Sequence, residues 1–197
     1  MSNDGGNAGR RRFLVAATSV VGAAGAAGAA IPFLGSWAPS ARAKAAGAPV
    51  RVNIGKIEPG QQIVAEWRGQ PVFVLHRAPE IMQGLKKIEA QLADPESKQS
   101  EQPTYVDASM RSIKPEVLLV LGVCTHLGCA PTFRPEVAPA DLGPEWVGGY
   151  FCACHGSRYD LAGRVYKAQP APLNLLVPPH SYETDSIVII GVDEGAV

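Results

Sequence analysis

Two short clusters of cysteine and histidine most constrain how this 197-residue chain can fold. One cluster reads CTHLGC from Cys124, the other reads CACHGS from Cys152, and together they hold all four cysteines. Each cluster offers one thiolate and one imidazole at metal-ligand spacing, with one cysteine to spare. The fold must therefore bring two loops together around one metal centre.

The spacing within each cluster selects the ligands. Cys154 and His155 are neighbours, and adjacent side chains do not easily reach one compact site, whereas Cys152 and His155 lie at a chelating distance. We therefore assign four ligands: Cys124, His126, Cys152 and His155. These suit either zinc or a [2Fe–2S] cluster in which histidines replace cysteines on one iron. Cys129 and Cys154 are left over, and outside the cytoplasm they could form a disulfide that clamps the loops. A zinc site has no evident use for that second pair, so the iron–sulfur reading is favoured.

The first fifth of the chain predicts export and membrane anchoring. Three arginines at residues 10–12 precede a stretch, 13–41, that contains no charged residue. Its inner part, residues 13–31, would span ~28 Å as a helix, close to a bilayer core. The Arg-Arg-x-Phe-Leu pattern is typical of a twin-arginine export signal. We expect residues 1–12 to be a cytoplasmic tail, unstructured over residues 1–8, and 13–37 an uncleaved transmembrane anchor, with signal cleavage as the alternative.

The remaining chain predicts a linker and a mainly β head. Residues 38–49 lack bulky apolar side chains and indicate a flexible hinge. The head, residues 50–197, contains short β-prone runs at 50–54, 62–67, 71–76, 117–123, 150–152, 158–160 and 186–192. Apolar residues at helical spacing predict one amphipathic helix over 80–93. The net charge is zero, so no basic surface for nucleic acid is expected.

Both clusters, the anchor, the linker and the later run PAPLNL from Pro170 resemble the Rieske iron–sulfur subunits of cytochrome bc complexes, in their proteobacterial form. The resemblance implies an antiparallel β-sandwich head with one helix insertion and a small cluster-binding subdomain at about 120–178, behind a single N-terminal transmembrane helix. It also implies one Rieske [2Fe–2S] cluster. Two positions depart from the family pattern. Ala153 replaces a usual proline and Gln169 a usual glycine, and neither is a ligand.

The resemblance also implies roles for residues around the cluster. Ser157 would bond a bridging sulfide, and Tyr159 would bond the sulfur of Cys124. His155 would contact the quinol, and Leu127 would cap the cluster on the docking surface. A third loop, residues 170–175, would cover the cofactor with a lid formed by Pro170, Ala171 and Pro172. His76 and His180 lie outside the two clusters and are expected to be packing or surface residues.

The function implied by the resemblance is electron transfer in a proton-translocating ubiquinol–cytochrome c reductase. Such a subunit takes an electron and a proton from ubiquinol and passes the electron to a c-type cytochrome. The implied partners are cytochrome b, the c-type cytochrome and the membrane, in a dimeric complex. The implied location is the bacterial inner membrane, with the head in the periplasm. The alternative is the Rieske subunit of another exported oxidoreductase, such as an arsenite oxidase.

Overall fold

The computed structural model describes residues 7–193, in a chain that divides into two units, Met1–Ala45 and Ala46–Val197. The first unit contains helix α1, Asn7–Gly35, which has no buried residue and is long and apolar enough to cross a membrane. The helix begins six residues before the expected span and includes the three arginines. Residues 1–6 of the expected tail lie outside the described residues, and the expectation that Asn7 and Ala8 are unstructured is wrong.

The predicted linker contains a short helix, α2, Ala41–Ala46. Ser40 caps it, since the Ala43 N–H donates to Ser40 Oγ at 3.1 Å. Alanine, arginine and lysine favour helix, and serine is a strong N-cap residue, so this stretch can form a turn of helix without tertiary contacts. The linker therefore contains regular structure although it lacks bulky apolar side chains.

The second unit is mainly β, as predicted, and consists of three antiparallel sheets of three strands each. The first sheet has the order β1 (Val50–Asn53), β9 (Ile187–Ile190) and β8 (His180–Thr184). The second has the order β2 (Gln62–Trp67), β3 (Gln70–His76) and β4 (Val117–Leu121). The third has the order β5 (Thr132–Arg134), β6 (Gly149–Cys152) and β7 (Ser157–Asp160).

The second sheet is buried on both faces. Successive side chains of a strand point to opposite faces. Val74 and Leu119 therefore pack with residues of the first sheet, including Val188. Leu75 and Val120 lie on the other face and pack in one cluster with Cys124 and with residues of the third sheet. This two-sided burial explains why β4 is continuously apolar. The buried β4 also positions the first cysteine–histidine cluster, because Cys124 follows the end of this strand after two residues.

The helix predicted over residues 80–93 is shorter than expected. Helix α3, Pro79–Lys87, is followed by Ile88 and a 3₁₀ turn, Glu89–Gln91. Leu92 forms a β-bridge with Tyr166, and the Ala93 N–H donates to Val165 O. The chain must be extended there, so the helix ends early although its apolar spacing continues. Ile88 and Leu92 are still buried, in a separate cluster with Leu142, Trp146 and Tyr166.

Candidate metal centre

Two loops of similar construction, residues 124–129 and 152–157, carry the predicted ligands and are called the metal loops below. In the first, the Cys124 N–H donates to Cys129 O at 2.7 Å, and the Gly128 N–H donates to Cys124 O at 2.9 Å. In the second, between β6 and β7, the Gly156 N–H donates to Cys152 O at 2.9 Å. Gly128 and Gly156 have φ angles of +84° and +81°. Glycine adopts this left-handed conformation without strain, so each loop can close tightly behind its cysteine.

Cys124 and Cys152 are the two free cysteines, and each is 2% exposed. The Tyr159 hydroxyl lies 3.2 Å from Cys124 Sγ. Burial alone would raise the pKa of the Cys124 thiol, but hydrogen bonds from Tyr159, the His126 backbone, Cys152 and Ser157 bring it below its ordinary value. Burial raises the pKa of the Cys152 thiol, and the hydrogen bond with Cys124 raises it further. The hydrogen bonds around Cys124 therefore favour a thiolate at that position.

The two predicted histidine ligands lie next to each other on the outer side of the loops. The ring centroids of His126 and His155 are 4.8 Å apart, with the ring planes at 87°. His126 is half-buried and His155 is exposed. Leu127, between the first histidine and Gly128, is 72% exposed. The site thus has a buried side with thiols and an accessible side with imidazoles.

A disulfide joins the two loops. Cys129 and Cys154, the spare cysteines of the two motifs, are bonded, with their Cα atoms 6.7 Å apart. Their sulfur atoms lie within 4.8 Å of Cys152 Sγ and of each other. Although this trio resembles a metal-binding group, the two bonded sulfurs have no free thiolate to offer. The sulfur ligands available are therefore Cys124 and Cys152.

The predicted third loop, residues 170–175, contacts both metal loops. The Ala171 N–H donates to Ser157 Oγ at 3.1 Å, and Thr125 Oγ1 donates to Leu173 O at 2.6 Å. Ala171 is buried, whereas the flanking Pro170 and Pro172 are exposed. Ser157 and Tyr159, on β7, are both fully buried. The structure thus brings the predicted hydroxyl groups, the third loop and the ligand residues together.

A search against known proteins finds relatives along the whole chain. The ubiquinol–cytochrome c reductase iron–sulfur subunit of Allochromatium vinosum is 55% identical over 100% of this chain and 95% of its own length. The chain belongs to the family of ubiquinol–cytochrome c reductase iron–sulfur subunits. A family model described as "Ubiquitinol-cytochrome C reductase Fe-S subunit TAT signal" also matches residues 1–40.

Other members of this Rieske family are similar over most of the chain. The subunit of Rhodospirillum rubrum is 40% identical over 96% of both chains. The mitochondrial Rieske subunit of the cytochrome b-c1 complex of Candida albicans is 38% identical over 91% of this chain and 75% of its own. Among solved structures, a chain of a hyperthermophilic respiratory complex III has a TM-score of 0.48 at 23% identity, covering 89% of this chain and 99% of that chain.

The residues present fit the iron–sulfur cluster of this Rieske family. Iron–sulfur clusters are held by cysteine thiolates, and in Rieske centres two histidines replace two cysteines. The donor set here is two buried free thiols and two adjacent imidazoles. The Tyr159 hydroxyl contacts the Cys124 sulfur, and hydrogen bonds of this kind are common around metal ligands.

Some features of the site were not apparent from the sequence. Thr125 contacts Tyr159 and the third loop, and only its place between two ligand residues pointed to it. Next to Gln169, which stands where a glycine is usual, Ala168 has a left-handed backbone, at φ +55°. His76 Nδ1 lies 2.7 Å from Ile57 O, and His180 is buried with Nδ1 2.8 Å from Pro178 O. These two histidines pack within the fold and are not brought to the metal centre.

Proposed function

We propose that this chain is the electron-transfer subunit of a ubiquinol–cytochrome c reductase. It takes an electron and a proton from ubiquinol and passes the electron to a c-type cytochrome subunit. The observation that carries the proposal is one pair of buried free thiols beside one pair of imidazoles, under a disulfide. End-to-end similarity to subunits of this name supports it.

The cofactor would be one Rieske [2Fe–2S] cluster. Cys124 and Cys152 would hold the inner iron, and His126 and His155 the outer iron. When bound, the cluster would supply one-electron chemistry at a potential well above that of all-cysteine ferredoxins, because two neutral ligands replace two anionic ones. The buried thiols and the more accessible imidazoles support this asymmetric assignment.

Ser157 and Tyr159 would tune the midpoint potential. A hydroxyl that donates to a sulfur stabilises negative charge, so its hydrogen bond strengthens on reduction and raises the potential. Tyr159 lies 3.2 Å from the Cys124 sulfur, and the Ser157 hydroxyl also interacts with that thiol. Burial of both side chains supports strong hydrogen bonds, because water does not compete for them.

His155 and Leu127 would form the quinol-docking surface. The imidazole of His155 is exposed, and a ring nitrogen would form a hydrogen bond with the quinol. Leu127 is exposed on the neighbouring loop and would contribute an apolar contact beside it. Pro170, Ala171 and Pro172 would form a stiff lid, because proline restricts the backbone.

The same proposal accounts for the N-terminal unit. Helix α1 would be a single-pass anchor in the bacterial inner membrane, with its arginines in the cytoplasm and the head in the periplasm. Residues 38–49 would form the hinge through which the head reaches cytochrome b and then the c-type cytochrome. The assembly would be a dimeric, proton-translocating complex.

Electron paramagnetic resonance of reduced membranes, with and without quinol-site inhibitors, tests the function. We expect a Rieske-type signal whose shape changes with the inhibitor, because quinol-site occupancy alters the surroundings of His155. Iron and sulfide analysis of the purified protein is the companion measurement. Zinc without inorganic sulfide would contradict the cofactor assignment, and absence of co-purifying b- and c-type haems would contradict the partner assignment.

A further inference from the structure

The third loop is hydrogen-bonded to a turn, residues 94–100, whose first and last side chains, Asp94 and Ser100, are buried. Asp94, 8% exposed, accepts hydrogen bonds from the backbone N–H groups of Lys98, Gln99 and Ser100 at 2.8–3.0 Å. The Ser100 hydroxyl also donates to Asp94 Oδ2 at 2.7 Å. A carboxylate that accepts several N–H bonds locks the local backbone. This turn is therefore a rigid support and not a loose connection.

Asn174 joins the third loop to that turn. Its backbone N–H donates to Ser100 Oγ at 3.0 Å, and its Nδ2 donates to Asp94 O at 2.9 Å and to Ser97 Oγ at 3.1 Å. Its Oδ1 accepts from the Val165 N–H at 2.8 Å. Asn174 is 2% exposed, so these bonds replace water and losing one leaves a buried polar group unpaired.

The beginning of the third loop contacts the Ser157 hydroxyl beside the predicted metal site. Three residues before Asn174, the Ala171 N–H donates to Ser157 Oγ at 3.1 Å. A serine hydroxyl has one hydrogen to donate and can accept through its lone pairs. With the Ala171 N–H bound to the oxygen, the Ser157 hydrogen is left to donate to a sulfur atom of the site, where Ser157 is paired with Cys152 across β6 and β7.

We propose that Asp94, Ser100 and Asn174 are positioning residues of the metal centre. They hold the third loop so that the Ala171 N–H orients the Ser157 hydroxyl toward sulfur. Pro172 lies between Ala171 and Asn174 and restricts the backbone, so the fixed position of Asn174 is transmitted to Ala171. The inference rests on the proposed tuning role of Ser157 and extends it to residues that do not contact the cluster.

A double-mutant cycle between Ser100 and Ser157 tests the inference. The midpoint potential is measured by redox titration of the paramagnetic signal in membranes containing the full complex. Ser100→Ala should lower the potential, by less than Ser157→Ala does, and Ser100→Thr should restore it, because the hydroxyl returns. In the Ser157→Ala background, Ser100→Ala should change the potential by a smaller amount. Ser109→Ala is the matched control, since the Ser109 hydroxyl likewise donates to the aspartate of a turn, Asp107, and has no described hydrogen bond to the third loop.

Any one of four outcomes would overturn the inference, three of them in the midpoint potential. In the first, Ser157→Ala lowers the potential and Ser100→Ala does not. In the second, Ser100→Ala lowers it equally in both backgrounds, which would mean that it acts without Ser157. In the third, Ser157→Ala itself has no effect, and the proposed tuning role fails together with the inference.

If Ser100→Ala prevents cluster assembly, Ser97→Ala, which removes one partner of Asn174, replaces it with the same expected direction. Amide hydrogen exchange should be faster at Ala171 in either variant, and unchanged exchange would also overturn the inference.

Discussion

Tyr159 contacts more of the metal centre than any other side chain on β7. Its hydroxyl lies 3.2 Å from Cys124 Sγ, from the Thr125 N–H and from Thr125 Oγ1. We expect Tyr159→Phe to lower the midpoint potential by ~60 mV, a tenfold shift for one electron, which is within the strength of a hydrogen bond to a charged group. Redox titration of the paramagnetic signal measures it. Tyr105→Phe, a change distant in sequence from both metal loops, is the control, and an unchanged potential in Tyr159→Phe would contradict the tuning role.

Asp94 should make the head sensitive to acid. Burial alone would raise its pKa, but the hydrogen bonds from Ser100, Gln99 and Lys98 hold the pKa below its ordinary value of 3.8. Lys98 and the buried Arg111 are the cations that interact with it. A lowered folded-state pKa gives stability that is present above the unfolded pKa and is lost as the pH falls through the folded one.

We therefore expect wild type to exceed Asp94→Asn in stability most above about pH 4 and the difference to shrink at lower pH. Urea unfolding of the detergent-solubilised full chain, followed by fluorescence of the buried Trp67 and Trp146, measures this difference. Parallel stability curves for the two proteins across this range would show that Asp94 is not the group responsible.

Three arginines of the head are buried, a feature that the sequence analysis did not predict. Arg77, Arg111 and Arg164 are each at most 1% exposed. Arg77 and Arg111 donate to the backbone carbonyls of residues 161–163, the turn that follows β7. Burial lowers the pKa of Arg77 to about 10. Charged residues are normally exposed. The burial of Arg77 and Arg111 depends on carbonyl groups that are distant in sequence, so no local pattern predicts it, whereas Arg164 pairs with the buried Asp160 four residues earlier.

At the scale of secondary structure, the sequence predicted the strands that carry an apolar pattern. β2 has the predicted bounds, and β1, β3, β4, β6, β7 and β9 overlap the predicted runs. β5 and β8 were missed. β5 has only three residues, and β8 (HSYET) is polar toward its end. Both exist because a neighbouring strand offers an edge to pair with, which a single segment does not reveal. The metal loops were predictable because ligand spacing is local.

The disulfide between the metal loops should stabilise the head. It closes a separation of 25 residues, which corresponds to ~3 kcal/mol from the lower entropy of the unfolded chain. We expect the double variant Cys129→Ser, Cys154→Ser to lose about this much unfolding free energy in urea. Treating wild type with a reductant should give a similar loss and serves as the control. An unfolding midpoint equal to that of wild type would contradict a stabilising bond.

At the scale of the whole molecule, the two units differ in how far their apolar side chains are buried. Helix α1 has no buried residue among its apolar side chains, which is typical of a segment that meets lipid or a partner. The head buries its apolar residues in three clusters and keeps the imidazole side of the metal centre accessible. The proposed function needs both properties, because an anchored carrier would stay at the membrane while its reactive surface meets more than one partner.

The segment between the units should control turnover without affecting the metal centre. Residues 38–49 include the short helix α2, whose side chains at 41–45 are exposed. We expect prolines at Ala43 and Ala45, or an insertion of three residues after Gly47, to slow quinol oxidation several-fold, because head movement would be restricted or its reach changed. Steady-state quinol oxidation by membranes measures the effect, and the paramagnetic signal checks that the cluster is assembled. The same insertion after Val137, an exposed position between β5 and β6, is the control. Wild-type turnover in both linker variants would show that the segment is only a spacer.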